Sequence, residues 1–131
     1  MKILTSYYAN YKNIPSEYQC ISISNSNPTT ICLPVWRDVV PDWSMVKTYK
    51  NGDMNFDAFL FAYVSMLNKL SHQQVLDYLN RYKGQTLVLM CWEKDSKLCH
   101  RQLLGTWLKT YYDIDVEEYD EAKHGAELYN V

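Results

Sequence analysis

The fold is decided by the stretch Leu87-Val-Leu-Met-Cys-Trp-Glu-Lys-Asp-Ser-Lys-Leu-Cys-His-Arg-Gln-Leu-Leu104, in which an apolar run is followed by a polar loop and an amphipathic segment. This order predicts a buried strand, a loop and the beginning of a helix. In open α/β sheets, ligands bind beyond the carboxyl ends of the strands, so the chemistry of this protein is expected at this turn. The side chains able to carry it are Cys91, Glu93, Cys99, His100 and Arg101.

Strands alternate with helices on both sides of this stretch. Short apolar or alternating runs predict strands at residues 2–5, 20–24, 86–91 and 114–119. Apolar residues at helical spacing predict one helix over residues 56–70, a second that begins at the capping box of Ser71 and Gln74, and a third after Cys99. Residues 31–43 contain two prolines and predict an irregular excursion with one short helical turn.

This alternation predicts an α/β fold. We expect a small, mostly parallel sheet of about four strands with right-handed crossovers, flanked by helices in a Rossmann-like three-layer arrangement. A chain of 131 residues is long enough for one such core, so residues 1–131 are interpreted as a single α/β domain.

Composition excludes several classes of protein. Apolar residues make up 47% of the chain, which favours a globular fold over disorder. The net charge is −2 and seven of the fifteen acidic residues lie between Asp113 and Glu127, so nucleic acid is not an expected partner. The N-terminal residues lack the apolar core of a signal peptide, and no run of about eighteen apolar residues occurs. We therefore expect a cytoplasmic protein with no membrane contact and with reduced cysteines.

The motif Cys-x-Glu followed by Cys-His-Arg resembles a named family. The positions are Cys91, Glu93, Cys99, His100 and Arg101, and they are similar to the motif of the family catalogued as domain of unknown function 488. The N-terminal strand and residues 21–24 are also similar to short members of that family, some of them encoded by bacteriophages. Larger members tend to have Asp-x-Arg after the second strand, where this chain has Ser24-Asn-Ser.

The first candidate function is binding of a small phosphorylated or nucleotide-derived ligand. The start of a helix carries unpaired N–H groups and partial positive charge, to which Arg101 adds a guanidinium suited to phosphate. Short polar side chains at neighbouring strand ends would donate hydrogen bonds, and aromatic side chains would stack on a base. The hydrogen-bonding side chains are Thr5, Ser6, Ser24 and Asn25. The stacking side chains are Tyr7, Tyr8 and Trp36. The alternative is that Arg101 pairs with Glu93 and only fixes the loop.

The resemblance to phage-encoded members suggests a more pointed form of this hypothesis. Such a protein would sequester a nucleotide signal of host immunity in the host cytoplasm. No cofactor is expected, and a homo-oligomer is compatible with the apolar helix stripe over residues 56–70.

Two alternatives stay open. The first is an enzyme that acts on a nucleotide or a nucleic-acid base, using Glu93 with Cys99 or His100. Against it, the favoured interpretation of Cys91 and Cys99 is that they are small buried apolar residues, and the spacing Cys-x7-Cys-His does not favour a zinc site. The second is a protein-interaction module that works through the acidic C-terminal end, where His124 is expected to be exposed.

Overall fold

The fold is built on a four-stranded, all-parallel sheet. The computed structural model of the protein describes residues 1–94 and 100–125. The strands are β1 (Ile3–Tyr7), β2 (Gln19–Ser22), β3 (Leu87–Cys91) and β4 (Val116–Glu118), in the spatial order β2-β3-β1-β4. All five residues of β3 are buried, as expected for a central strand covered on both faces. The predicted α/β fold with a small parallel sheet is confirmed.

Four α-helices lie in the described part of the chain. They are α1 (Trp43–Lys50), α2 (Phe56–Leu67), α3 (His72–Asn80) and α4 (His100–Tyr112). Asn55 caps α2 by accepting a hydrogen bond from the N–H of Ala58. Ser71 and Gln74 form the predicted capping box of α3, with both reciprocal hydrogen bonds present. Local sequence signals therefore fix where these two helices begin.

Helix α1 was not predicted from the sequence. None of its residues is buried, and its apolar side chains Met45, Val46 and Tyr49 are only partly buried against the core. The predicted short helical turn before it is present as a 3₁₀ helix at Arg37–Val39.

The two faces of the sheet bury different partners. On one face, Ile3, Ile21, Leu87 and Leu89 pack with side chains from all four α-helices. On the other face, Leu4, Cys20, Val88 and Met90 pack with Tyr8, Ile14 and Tyr119, which follow β1 and β4 in the chain. The sheet is thus the middle of three layers, with α-helices on one side and a 3₁₀ turn, Tyr8–Asn13, on the other.

The connections between strands define where a ligand would bind. The β1–β2 connection begins with the 3₁₀ turn, and the β2–β3 and β3–β4 connections carry the α-helices. Connections that run in opposite directions along the sheet therefore lie on opposite faces, as crossovers of a single hand require. Neighbouring strands β1 and β3 lead into opposite faces, which makes their carboxyl ends a topological switch point, the usual ligand position in such sheets.

One expectation about the acidic end is wrong. His124 is 1% exposed, not solvated. Its Nδ1 accepts a hydrogen bond from the N–H of Asp120 at 2.8 Å, so Nε2 carries the proton and donates to Glu117 Oε2 at 2.9 Å. The Tyr18 hydroxyl donates to the His124 carbonyl at 2.8 Å. These contacts attach residues 121–125 to the sheet edge.

Candidate functional site

A cleft of about 80 Å³ opens beside the carboxyl ends of β2 and β3. Ser24 and Asn25 reach it from the segment after β2, and Trp92 and Glu93 reach it from the segment after β3. His100, the first residue of α4, also lines it. The far side is formed by α1, which contributes its own aromatic and charged side chains. The strand–loop–helix turn that decides the fold therefore forms one side of this cleft.

His100 is a buried, neutral histidine at the base of the cleft. Its side chain is packed edge-on against Tyr63, with ring centroids 5.5 Å apart. The distance from Nε2 to the carbonyl oxygen of Ile23 is 2.6 Å, and because a carbonyl only accepts, Nε2 carries the proton. Burial lowers the pKa of His100 to about 4. At neutral pH this residue is an uncharged imidazole whose proton is held by the backbone after β2.

A buried network of hydroxyl groups lies below the cleft. The Tyr8 hydroxyl is 2.6 Å from Ser22 Oγ and 2.5 Å from Ser24 Oγ, and Asn27 Oδ1 accepts from both Tyr8 and Ser22. The Ser24 hydroxyl donates onward to the carbonyl of Ser26 at 2.8 Å. Burial raises the pKa of Tyr8, so its phenol stays protonated. The network fixes the segment after β2 that lines the cleft.

Two tryptophans line the cleft and remain open to solvent. Trp92 is 46% exposed, and its indole N–H donates to the carbonyl of Ser26 at 2.9 Å. Its ring also packs edge-to-face on Tyr8, with centroids 4.9 Å apart. Trp43, the first residue of α1, is 61% exposed. Trp92 is held in place by these contacts, so one aromatic side of the cleft is pre-organised.

One cation and one anion meet at the mouth of the cleft. Lys50 Nζ lies 4.0 Å from Glu93 Oε1, and the two side chains are 60% and 40% exposed. An ion pair this exposed contributes about 0–1 kcal/mol to stability, because water screens both charges. The ion pair can therefore break, and each group can bind a ligand instead, with little loss of free energy.

Arg101 lies beside the cleft and is engaged within the protein. Its side chain is fully buried, and its guanidinium pairs with the Glu118 carboxylate through Nε–Oε1 at 3.0 Å and Nη2–Oε2 at 2.9 Å. It also donates to Cys91 Sγ and to the carbonyls of Glu93 and Lys94. The guanidinium has five N–H groups, and five acceptors surround it. In this arrangement Arg101 presents no N–H to an external phosphate.

The comparison with protein families identifies the chain. A family profile described as the active DUF488-N3 subclade, DUF488-N3a, matches residues 5–112. The chain belongs to the DUF488-N3a family. The match runs from β1 to α4, so it includes the segments that line the cleft. No curated protein and no solved structure matches the chain significantly.

The fold of this DUF488-N3a protein brings only part of the predicted site together. Of the predicted residues, Ser24, Asn25, Glu93 and His100 line the cleft, and Tyr8 supports it from below. Cys99 lies outside the described residues. The catalytic pairing of Glu93 with Cys99 or His100 therefore stays a prediction.

A second group of predicted residues surrounds Arg101. The hydroxyl of Thr5 donates to Glu118 Oε1 at 2.6 Å, and the Tyr7 ring lies 5.9 Å from the guanidinium carbon. Ser6 is fully buried and accepts a hydrogen bond from the Asn10 side chain. Thr5 and Tyr7 contact the ion pair that joins α4 to β4, and none of these three side chains lines the cleft that Trp43 and Trp92 line. Arg101 and Thr5 instead border a wider, polar groove between α4 and β4.

Trp36 and Cys91 are internal. Trp36 is 1% exposed and stacks on Tyr78 with ring centroids 4.5 Å apart in the helix-side core, so neither face is open to a base. Cys91 is disulfide-bonded, whereas Cys20 and Cys32 are free thiols. The expectation that all cysteines are reduced is wrong for Cys91.

The DUF488-N3a chain also has site residues that the sequence analysis missed. Trp92 stands directly after the central strand, so its position at a strand end was a usable signal. Trp43 and Lys50 lie on α1, which the sequence did not predict, and no local signal connects either to the turn after β3. Glu118 is one of seven neighbouring acidic residues, and nothing in the sequence marks it as the partner of Arg101.

The described residues show neither a metal centre nor a membrane span. No group of three or more His, Cys, Asp or Glu side chains is close enough to hold a metal ion within residues 1–94 and 100–125. In the same residues, no helix is long and apolar enough to cross a bilayer.

Proposed function

We propose that this DUF488-N3a protein binds a small nucleotide-derived molecule by inserting its base between Trp43 and Trp92. The observation that carries the proposal is that both indoles line one cleft while about half of each side chain stays exposed. Stacking of a base on an aromatic side chain contributes about 1–3 kcal/mol. Asn25 and the charged pair of Lys50 and Glu93 supply the polar groups that would orient the base.

The size of the cleft sets which part of the ligand enters. Sites that enclose a whole drug-sized ligand have volumes of roughly 300–1,000 Å³. At about 80 Å³, this cleft suits one planar ring system, with sugar and phosphate left outside. The proposal therefore differs from the expectation that Arg101 holds the phosphate, since Arg101 is buried against Glu118.

The test is isothermal titration of the purified protein with linear and cyclic mononucleotides, using Trp43→Ala and a matched control. Trp43→Ala should weaken binding about tenfold, because it removes one stacking surface. Phe61→Ala is the control, since Phe61 is 74% exposed and does not line the cleft. Equal affinity in wild type and Trp43→Ala, or binding of no nucleotide by the wild type, would contradict the proposal.

A second candidate is an enzyme that acts on the bound nucleotide or base. His100 favours it, because a neutral imidazole and the Glu93 carboxylate line the same small cleft. The family description, which refers to an active subclade, supports it as well. Mass spectrometry of nucleotides recovered after incubation separates the two functions. A ligand returned with altered mass supports the enzyme, whereas an unchanged mass supports binding alone.

Sequestration of a host nucleotide signal is the narrower form of the binding proposal. It rests on the resemblance to short phage-encoded members of the family and on the exposed aromatic cleft. It predicts stoichiometric, slowly released ligand without turnover. An interaction module at the acidic end would instead depend on residues after Asp120, and deleting them should then leave nucleotide binding intact.

A further inference from the structure

We infer that the cleft selects guanine among the nucleobases, through the charged pair of Lys50 and Glu93. The inference rests on the proposed function and specifies its ligand. The two groups come from different elements, since Lys50 ends α1 and Glu93 follows β3. Their charged atoms lie 4.0 Å apart, and both side chains line the cleft that the two tryptophans flank.

The chemistry of the pair matches one edge of guanine. Ionised Glu93 has two acceptor oxygens and no donor, whereas Lys50 has three donors and no acceptor. The Watson–Crick edge of guanine carries two adjacent donors, N1–H and the 2-amino group, next to one acceptor, O6. The carboxylate would accept from both donors while the ammonium donates to O6. A cation and an anion a few ångströms apart can therefore satisfy all three polar groups of this edge.

The other bases leave one of these groups unsatisfied. Adenine places the acceptor N1 beside its amino group, so one carboxylate oxygen would face a lone pair. Cytosine places N3 beside its amino group with the same result, and uracil offers a single N–H between two carbonyls. Hypoxanthine keeps O6 and N1–H but lacks the 2-amino group. It is therefore the matched probe for the second hydrogen bond to Glu93.

Binding would exchange one weak interaction for several stronger ones. The existing pair is screened by water, because both side chains are about half exposed. Hydrogen bonds to ionised groups are shorter and stronger than those between neutral groups, and stacking partly excludes water from them. The pair thus holds the two charged groups close together, and separating them costs little free energy.

The test is titration of the wild-type protein with the 5′-monophosphates of guanosine, inosine, adenosine, cytidine and uridine. Guanosine monophosphate should bind at least about tenfold more tightly than each of the others, as expected for a good bidentate contact. Glu93→Gln should reduce the preference for guanosine over inosine monophosphate to less than about threefold. Lys50→Gln should weaken both by a similar factor, because both bases carry O6. Glu17→Gln, a change of an exposed glutamate outside the cleft, should alter nothing.

The outcomes separate this inference from the proposed function. Equal affinity for guanosine and inosine monophosphates, or a preference that survives Glu93→Gln, would overturn the selection of guanine while binding in the cleft stands. Binding of none of the five nucleotides would overturn both.

Discussion

The guanidinium of Arg101 and the carboxylate of Glu118 form a two-pronged ion pair that joins α4 to β4. The Nε–Oε1 distance is 3.0 Å and the Nη2–Oε2 distance is 2.9 Å, with Arg101 fully buried and the Glu118 side chain 38% exposed. Thr5 of β1 donates to the same carboxylate at 2.6 Å. One carboxylate therefore connects three elements at the carboxyl edge of the sheet, next to the proposed site.

The first prediction is that Glu118→Gln destabilises the protein. The change leaves the charge of Arg101 buried without its counter-ion, which costs roughly 3–5 kcal/mol in a fully buried pair. Because water reaches part of Glu118, we expect the free energy of unfolding to fall by about 2–3 kcal/mol. Urea denaturation followed by circular dichroism measures it, with Glu17→Gln as the control.

A variant of the same ion pair distinguishes a structural role of Arg101 from a ligand-binding role. Arg101→Lys should lower stability, because a lysine cannot make the two parallel hydrogen bonds to Glu118. Under conditions where the variant is folded, its nucleotide affinity should equal that of the wild type. Lost affinity at unchanged stability would instead make Arg101 a direct anion ligand.

The second prediction concerns acid stability. The pKa of His100 is lowered from 6.5 to about 4 in the folded protein, so between these values the unfolded chain binds a proton that the folded protein does not. The contribution of neutral His100 to the free energy of unfolding is therefore fully present above pH 6.5. It decreases as the pH falls, by a total of about 3 kcal/mol near pH 4. Denaturation curves at pH 7, 6, 5 and 4.5 measure this loss.

Two histidine variants test the assignment of that slope. His100→Gln keeps a side-chain donor for the Ile23 carbonyl but does not titrate, so stability should depend less on pH by up to about 1.4 kcal/mol per pH unit. His72→Gln changes an exposed histidine and should keep the wild-type slope. Identical slopes in wild type and His100→Gln would show that another group is responsible.

The third prediction is that the Tyr8 hydroxyl supports the cleft. Tyr8→Phe removes a group that is hydrogen-bonded to Ser22, Ser24 and Asn27, and each buried partner left unsatisfied costs about 1–3 kcal/mol. We expect a stability loss of about 2 kcal/mol and weaker nucleotide binding. Tyr111→Phe, which removes an exposed hydroxyl, should leave both unchanged. Unaltered binding in Tyr8→Phe would show that the network is structural only.

The fourth prediction concerns the contact between α4 and β4. A Cβ atom at Gly105 would lie 3.0 Å from Cγ1 of Val116, closer than nine in ten Cβ contacts in proteins. Gly105→Ala should therefore destabilise the protein by about 1–3 kcal/mol. In a Val116→Ala background only the contact with Cβ of residue 116 remains, at 3.3 Å, and helix propensity offsets its cost by about 0.5–1 kcal/mol, so the same change should destabilise the protein less. Additive effects in this double-mutant cycle would refute the proposed clash.

Much of the fold follows from local sequence. The apolar run that ends at Cys91, the capping box of Ser71 and Gln74 and the helix beginning near His100 depend on interactions within a few residues. Backbone hydrogen-bond geometry and side-chain periodicity act over the same short range. The sequence by itself therefore determined the strand–helix alternation, the parallel sheet and the turn near the candidate site.

The site was only partly predictable, because some of its residues are brought together only by the packing of elements that are distant in the sequence. Lys50 faces Glu93 only because α1 packs on α2 at the carboxyl edge, and the sequence analysis did not predict α1. Trp36 shows the opposite case, since it was predicted to stack on a base, whereas the helix-side core encloses its side chain.

The partner of Arg101 shows what only the tertiary structure decided. The sequence offered Glu93 as its neighbour, but the pairing of β4 with β1 places Glu118 beside Thr5 and within reach of the guanidinium. Charge attraction does not distinguish one glutamate from another along a chain. Strand order and register do, because they determine which carboxylate is buried next to which cation.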